Sequence, residues 1–236
     1  MTETCIVIPA YNEQETLTEK VTELNDFLTR KNLDSDIIIA DNNSTDSTGM
    51  LAKNLAYRNN RIKCYFVPEK GKGSAIKRTW LAYNYTIYSF MDEDLSADLE
   101  YFPQLIDKIK NGYDMAIGSR YIPGAESKRN LKRRIISRTY RTLFNLLFDL
   151  GIHDPQCGFK AISRNIRDNV IPKIEDDGFF FDTELLLRAN HAGYKIKEVP
   201  IKWVEDPSST VNMCKDIPKF LYGLARLKYQ QMTGKL

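Results

Sequence analysis

Three acids in consecutive positions, Asp92-Glu93-Asp94, close the apolar run that ends in Phe90-Met91. Like charges crowded this way repel one another. A hard divalent cation offsets the repulsion, because Mg²⁺ or Mn²⁺ binds carboxylate oxygens and leaves positions that a diphosphate can fill. If the strand continues through them, Asp92 and Asp94 project to one side and Glu93 to the other. The alternative is a solvated acidic loop capping the next helix, with Asp98 as N-cap. A D-x-D pair alone is weak and favours the loop. Its place after a strand, in a chain with several other anion-handling segments, favours the cation.

Those other segments also sit where apolar runs stop. Pro9-Ala10-Tyr11-Asn12-Glu13 offers aromatic and polar groups for stacking on and hydrogen bonding to a base, or else a strand stop followed by a helix start. In Asp41-Asn42-Asn43-Ser44-Thr45-Asp46, Asp41 is placed to accept from a base or ribose, while the Asn, Ser and Asp residues suit a capping turn. Glu69-Lys70-Gly71-Lys72-Gly73-Ser74 precedes a helix. Backbone amides at a helix start beside Lys72 suit a phosphate, although the Walker spacing is absent and a simple turn explains the glycines equally well. Gly118-Ser119-Arg120-Tyr121 supplies a guanidinium fork for an anion. Asp154 in DPQCGFK, and Asp182 and Glu184 in FFFDTE, complete the set; the last two also read as acids favoured at a helix N-terminus.

The elements that must position these residues alternate through the first half. Strands are predicted at Thr4–Ile8, Asp36–Ala40, Ile62–Val67, Thr86–Met91 and Asp114–Gly118. Helices lie between them at Glu13–Arg30, from Ser44-Thr45-Asp46 to Tyr57, from Gly71-Lys72-Gly73 to Tyr83, and over Leu99–Ile109. This order is α/β, a mostly parallel sheet with helices on both faces, and such sheets bind ligands at the carboxyl ends of their strands. Asp41, Asp92 and Asp94 sit at such ends. The second half reads as a helix over Leu131–Gly151, a strand over Cys157–Ser163, a helix over Asp182–Ala192, a strand over Ile196–Val204 and a helix over Val211–Gln231. No linker or repeat divides the chain, which is therefore one domain, residues 1–236, with an elaboration beyond residue 119.

Composition narrows the function classes. At 236 residues, 42% hydrophobic and +3 in net charge, the chain builds a sizeable core and does not advertise nucleic-acid binding. Charge is nevertheless concentrated: residues 128–141 (KRNLKRRIISRTYR) are rich in Lys and Arg with no acid among them, a block that seeks an anion. Basic residues crowd the first half of that helix and apolar ones the second, which suits a membrane surface. No apolar run reaches the ~20 residues of a spanning helix, and MTETCIVIPAYNE is too short in apolar residues for a signal peptide. Cys5, Cys64, Cys157 and Cys214 are scattered and read as reduced thiols of a cytosolic protein.

Taken together, IVIPAYNE, ADNNSTDST, EKGKGSA, MDEDLSAD, AIGSRY, LKRRIISR, DPQCGFKA, FFFDTELL and EVPIKW, in this order over nearly the whole chain, resemble family 2 glycosyltransferases of the GT-A fold. The resemblance is strongest to the polyprenyl-phosphate branch, the dolichyl-phosphate mannose and glucose synthases. It implies that Pro9, Tyr11, Glu13 and Asp41 hold the nucleotide of a nucleotide-sugar donor. It places Asp92 and Asp94 on a Mg²⁺ or Mn²⁺ ion and the donor diphosphate, with Ser96 where relatives often carry a Gln ligand. Arg120 and Arg133, with Arg134 and Arg138 as neighbours, would grip the phosphate of a polyprenyl (dolichyl) monophosphate acceptor. Residues 1–119 would form the nucleotide-sugar half and 120–236 the acceptor and membrane-facing half. The implied reaction is inverting transfer of a hexose on the cytoplasmic face of a membrane, with peripheral contact and no nucleic acid. No general base is assigned, Asp154 and Asp182 being the candidates. Two departures stand out. Asn42 and Asn43 replace the Asp and Gly of the usual D-D-G-S-T-D, and Glu205-Asp206-Pro207-Ser208-Ser209 stands where mannose-type relatives carry Arg and a G-x-S-K loop. FFFDTELL is more like the glucose branch. A family member acting on a soluble or polysaccharide acceptor, and a non-catalytic sugar-nucleotide-binding protein, are the alternatives.

Overall fold

A computed structural model describes residues 2–128, 130–204 and 213–236; the side chains of Lys132, Arg133, Met213, Cys214 and Lys215 lie outside the description. Strands β1 (Thr4–Ala10), β2 (Ser35–Asp41), β3 (Ile62–Phe66) and β4 (Ile87–Met91) alternate with helices α1 (Leu17–Arg30), α2 (Thr48–Arg58) and α3 (Lys72–Ala82). Then follow α4 (Phe102–Lys110), β5 (Met115–Ser119), β6 (Glu126–Lys128), α5 (Leu131–Phe148), β7 (Phe159–Ser163), α6 (Arg164–Asn169), α7 (Phe181–His191), β8 (Ile196–Pro200), β9 (Lys202–Val204) and α8 (Met213–Met232). The main sheet has seven strands in the order β3-β2-β1-β4-β7-β5-β8. All its neighbours are parallel except β7, which runs antiparallel to both β4 and β5.

Alternation along each strand makes two cores, because successive side chains leave opposite faces of a sheet. Cys5, Val7, Ile38, Ala40, Tyr88, Phe90, Met115 and Ile117 face one core with helices α3, α5, α6, α7 and α8. Ile6, Ile8, Ile37, Ile39, Ile87, Met91 and Ala116 face the other with α1, α2 and α4. Helix α1 buries Leu17, Val21, Leu24, Phe27 and Leu28, the 3.6-residue stripe its sequence shows.

Two expectations change. Pro9 does not end β1; it pairs in register with Ala40. The Asn42 N–H donates to the Ala10 carbonyl, so Ala10 faces β2 and Pro9 faces β4, where pairing has already stopped at Val7 and Phe90. Its missing donor is therefore not needed. The single strand read over Ile196–Val204 is two: β8 closes the main sheet, the chain turns at Pro200-Ile201, and β9 pairs with β6 in a separate two-stranded sheet. Strand β7, from beyond residue 119, lies between β4 and β5 of the first half, so both halves build one sheet.

Candidate active site

The acids lie where predicted, at the carboxyl end of β4, but not as predicted. The strand ends at Met91, and Leu95 takes a left-handed φ of 47°, so Asp92 and Asp94 are presented by a turn and not by strand alternation. Asp98 caps the following 3-10 turn by accepting from the Glu100 amide at 3.0 Å. Asp92 and Asp94 line a pocket with Ser96, Gly158, Phe159 and Trp203. The loop is fixed from outside. The Asp98 amide donates to the Lys202 carbonyl, the Val204 amide to the Ser96 carbonyl, and Ala97 bridges to Trp203. The amide of Asp92 donates to the Gly158 carbonyl. A Cβ on Gly158 would fall 1.8 Å from Asp92 Oδ2, so this glycine is what lets the carboxylate lie against the β7 approach.

Charges beside the acids are arranged in a buried row. Lys72, the first residue of α3, reaches Asp92 at 2.7 Å and Asp182, near the start of α7, at 3.0 Å. Asp182 also takes Lys160, a fully buried lysine, the second residue of β7, whose ammonium bonds the Cys157 carbonyl as well. Burial works to raise the Asp182 pKa, but Lys160 and Lys72 outweigh it and hold the carboxyl below its ordinary value. For Asp92 burial prevails over Lys72, aided by Asp94 and Asp182, and its pKa is raised. Asp94 accepts from the Ser96 amide at 3.0 Å and the Ser96 hydroxyl at 2.7 Å, and no Lys or Arg pairs with it among the described residues. Two carboxylates and a hydroxyl are a hard-oxygen donor set carrying excess negative charge, which fits Mg²⁺ or Mn²⁺. Among the described residues no three His, Cys, Asp or Glu converge on one point, so the chain brings two carboxylates and a diphosphate would supply further oxygens.

The residues expected to face a nucleotide gather at the adjacent carboxyl ends of β1 and β2. Asp41 is buried and accepts from the Ser44 amide at 3.1 Å; a Cβ on Gly49 would come within 2.5 Å of its other oxygen. Asn42 Oδ1 accepts from the Gly71 amide at 2.7 Å, and Asn42 and Asn43 donate to the carbonyls of Glu69 and Pro68. Asn43 has φ 59°, the left-handed conformation that glycine ordinarily fills and asparagine tolerates. The two departures from D-D-G-S-T-D therefore keep the turn and tie it to the segment before α3. Tyr11 is exposed, with Lys70 over its ring at 4.8 Å. The Glu13 amide bonds Thr48 Oγ1 at 2.7 Å; burial, then Glu93, pushes the Glu13 carboxyl up to about 7.

Other expectations are redirected. The amides at the start of α3 are not presented to a phosphate. Gly73 donates to the Gly178 carbonyl and Ser74 to that of Asp177. Cβ atoms on Gly71 and Gly73 would meet Asp177 O at 2.0 Å and Phe181 Cβ at 2.6 Å, so these glycines admit the 176–181 segment. Glu184 faces away from the site. Two residues apart on a helix, Asp182 and Glu184 point in different directions. Fully buried Glu184 binds Arg188 at 2.8 Å and Arg226 at 2.6 Å, and accepts from the amides of Glu175 and Asp176. Its spacing to Arg188, i to i+4, is the signal that marks it as structural.

Arg120, expected to face the acceptor, is clamped to buried Asp154, with Nε to Oδ2 and Nη2 to Oδ1 both at 2.7 Å. Its guanidinium also lies 4.7 Å from the Trp203 ring. Glu198 holds the amides of His153 and Asp154. Both candidate bases, Asp154 and Asp182, are thus engaged by cations. Arg134 and Arg138 are exposed on α5, and Arg133 has its side chain outside the described residues. Sequence reasoning missed Gly158, Lys160 and Trp203, although all three stand inside the segments DPQCGFKA and EVPIKW.

Comparison with known proteins gives the family and the fold. The profile of the family described as Glycosyl transferase family 2 matches residues 5–171. Glycosyltransferase AglD of Haloferax volcanii is 34% identical over 221 residues, 91% of this chain and 35% of that protein. The chain therefore spans about a third of AglD's length. Polyprenol monophosphomannose synthase of Mycolicibacterium smegmatis is 33% identical over 86% of this chain and 77% of its own. Glucosyl-3-phosphoglycerate synthase from Mycobacterium tuberculosis, solved with Mn²⁺, UDP and phosphoglyceric acid, superposes with a TM-score of 0.73 at 19% identity, covering 96% of this chain and 78% of that one. At that identity the likeness is one of fold.

Proposed function

This chain belongs to glycosyl transferase family 2, and from that membership we propose that it transfers a hexose from a nucleotide-sugar to a polyprenyl monophosphate, with inversion, giving a polyprenyl-phosphate hexose. The observation that carries the reading is the pocket holding Asp92, Asp94 and Ser96, set beside the β1 and β2 ends where a nucleotide would lie. Asp92 and Asp94, with Ser96 orienting Asp94, would hold Mg²⁺ or Mn²⁺; when bound, the cation neutralises charge on the departing diphosphate. Pro9, Tyr11, Glu13 and Asp41 border the nucleotide. A phosphomonoester with a second pKa of ~6 is largely ionised at neutral pH and attacks without a strong general base. That agrees with a site whose buried carboxylates, Asp154 and Asp182, are held in ion pairs. The remaining work is to bring two anions together. Arg120, steadied by Asp154, with Arg133, Arg134 and Arg138 of α5, would draw in the acceptor phosphate.

The lipid tail needs an apolar landing surface. Leu131, Arg134, Ile135, Arg138 and Leu146 fall on one exposed face of α5, and α8 exposes Ile217, Leu221, Tyr222, Tyr229 and Met232. Cations over apolar side chains suit the headgroup and acyl boundary of a cytoplasmic leaflet. Two basic side chains of α8 are engaged within the protein, Arg226 by Glu184 and Lys228 by the Leu147 carbonyl. Among the described residues no helix is long and apolar enough to cross a membrane.

The test is a donor screen of UDP-glucose, GDP-mannose and UDP-N-acetylglucosamine with polyprenyl phosphate and Mg²⁺ or Mn²⁺, against Asp94→Ala. Lipid-phosphate product from one donor, lost in the variant, supports the reading and identifies the sugar. No lipid product from any donor, with glycosylation of a water-soluble acceptor instead, overturns it.

A further inference from the structure

Lys72 and Lys160 are cations behind the pocket that Asp92 lines, and the proposed chemistry has no step for either. With Asp182 and Asp92 they form a row of alternating sign. Lys160 is fixed, fully buried between Asp182 and the Cys157 carbonyl. Asp182 is fixed by Lys160 on one oxygen and offers the other to Lys72 at 3.0 Å. Lys72 is the one member with two carboxylates to choose from, and its second partner, Asp92 at 2.7 Å, lines the pocket with a side chain one-third exposed. A lysine ammonium is a compact point charge on a flexible stem with three donors, so it can exchange partners without moving its backbone.

We propose that Lys72 is a resident counter-cation, which occupies an oxygen of Asp92 until a divalent ion arrives with its diphosphate and then rests on Asp182. The inference builds on Asp92 and Asp94 being cation ligands. Before loading, the Lys72 ammonium relieves the repulsion between Asp92 and its acidic neighbours. A divalent ion arriving alone must displace that ammonium and then sit beside it, which weakens its binding. A diphosphate arriving with the ion supplies both ligand oxygens and negative charge that offsets the repulsion between the ion and Lys72 in its seat on Asp182. Metal and nucleotide affinities are therefore coupled through this side chain, each raising the other by the same factor. Asp182 and Lys160 act as positioning residues that keep the second seat preformed.

The experiment measures Mn²⁺ binding by electron paramagnetic resonance of the free ion, with and without UDP or GDP, on the full chain. Wild type is compared with Lys72→Met and with Lys72→Gln. The Gln variant keeps a hydrogen-bonding group between Asp92 and Asp182 should the Met variant fail to fold, and thermal melts identify which variants are folded. The expected result is that Mn²⁺ alone binds the Lys72 variants at least about tenfold more tightly than wild type, and that the gain on adding nucleotide, large in wild type, shrinks in the variants. If the folded variants bind Mn²⁺ alone no more tightly than wild type, while Asp92→Asn abolishes binding, the role of Lys72 is overturned and the ligand assignment stands. If Mn²⁺ binds none of the proteins even with nucleotide, the ligand assignment falls and the inference with it.

Discussion

Replacing Gly158 with alanine should disable the site while leaving the fold in place. The added methyl would stand 1.8 Å from Asp92 Oδ2, 2.4 Å from Cγ and 2.7 Å from Oδ1. Gly158 is not among the residues with positive φ, so alanine suits its backbone. The obstruction is the free end of a side chain, which can rotate away. To reach ordinary contact the carboxylate must withdraw by ~1.5 Å, and a 1 Å misplacement in an assembled site costs on the order of 10²-fold in rate. We therefore expect kcat/KM for hexosyl transfer to fall by about 10²-fold or more, Mn²⁺ binding to weaken, and the melting temperature to shift by only a few degrees. The assay is product formation under saturating metal, with calorimetric melting alongside. A Gly158→Ala protein with unchanged activity and metal affinity would refute the placement of Asp92. One that unfolds would show the contact to be rigid.

Three further changes test other parts of the structure. Asn43→Ala forces a left-handed φ on alanine and loses the bond to the Pro68 carbonyl, and should lower stability by about 1–2 kcal/mol in urea titrations; Asn43→Gly should cost less. Glu184→Ala leaves Arg188 and Arg226 with Glu175 as their remaining carboxylate and two backbone amides without their acceptor, and a loss of roughly 3 kcal/mol is expected by chemical denaturation, against under ~1 if the cluster is incidental. Glu13, pushed up to about 7 from 4.5, keeps its proton in the fold where the unfolded chain releases it. The fold therefore binds the extra proton between those values, so Glu13 makes stability fall as pH rises through that window. Melting temperatures of Glu13→Gln should lack this part of the slope, and an unchanged profile would refute the shift.

The alternating elements of the first half were legible because each strand is an apolar run alternating between two buried faces and each helix carries one stripe. The second half hid more. The strand FKAIS contains a fully buried lysine, which hydropathy scores as surface, and its partner Asp182 lies 22 positions away. The break at Ile201 divides what reads as one strand into strands of different sheets. At the site, the types and places of Asp41, Asp92 and Asp94 were readable, but not which partner each meets. A glycine-lysine-glycine segment before a helix looks the same whether it cradles an anion or admits another stretch of backbone, and here the 176–181 segment fills it. Likewise Asp154 and Arg120 read separately as anion-handling residues, and only their approach in space shows that they hold each other.

The insertion of β7 between β4 and β5 has a consequence for how the chain is made. Synthesis on the ribosome delivers β4 and β5 first, yet neither has its shared neighbour until residues 159–163 emerge, and β5 gains its other partner only at 196–200. Until then two apolar strands carry unpaired edges, the kind of surface that recruits other chains. The loop bearing Asp92 and Asp94 waits longer still, for Lys202 and Val204. A nascent chain stalled between β5 and β7 should thus be protease-sensitive and prone to aggregate, and the pocket closes only once the late segment is available to the early one.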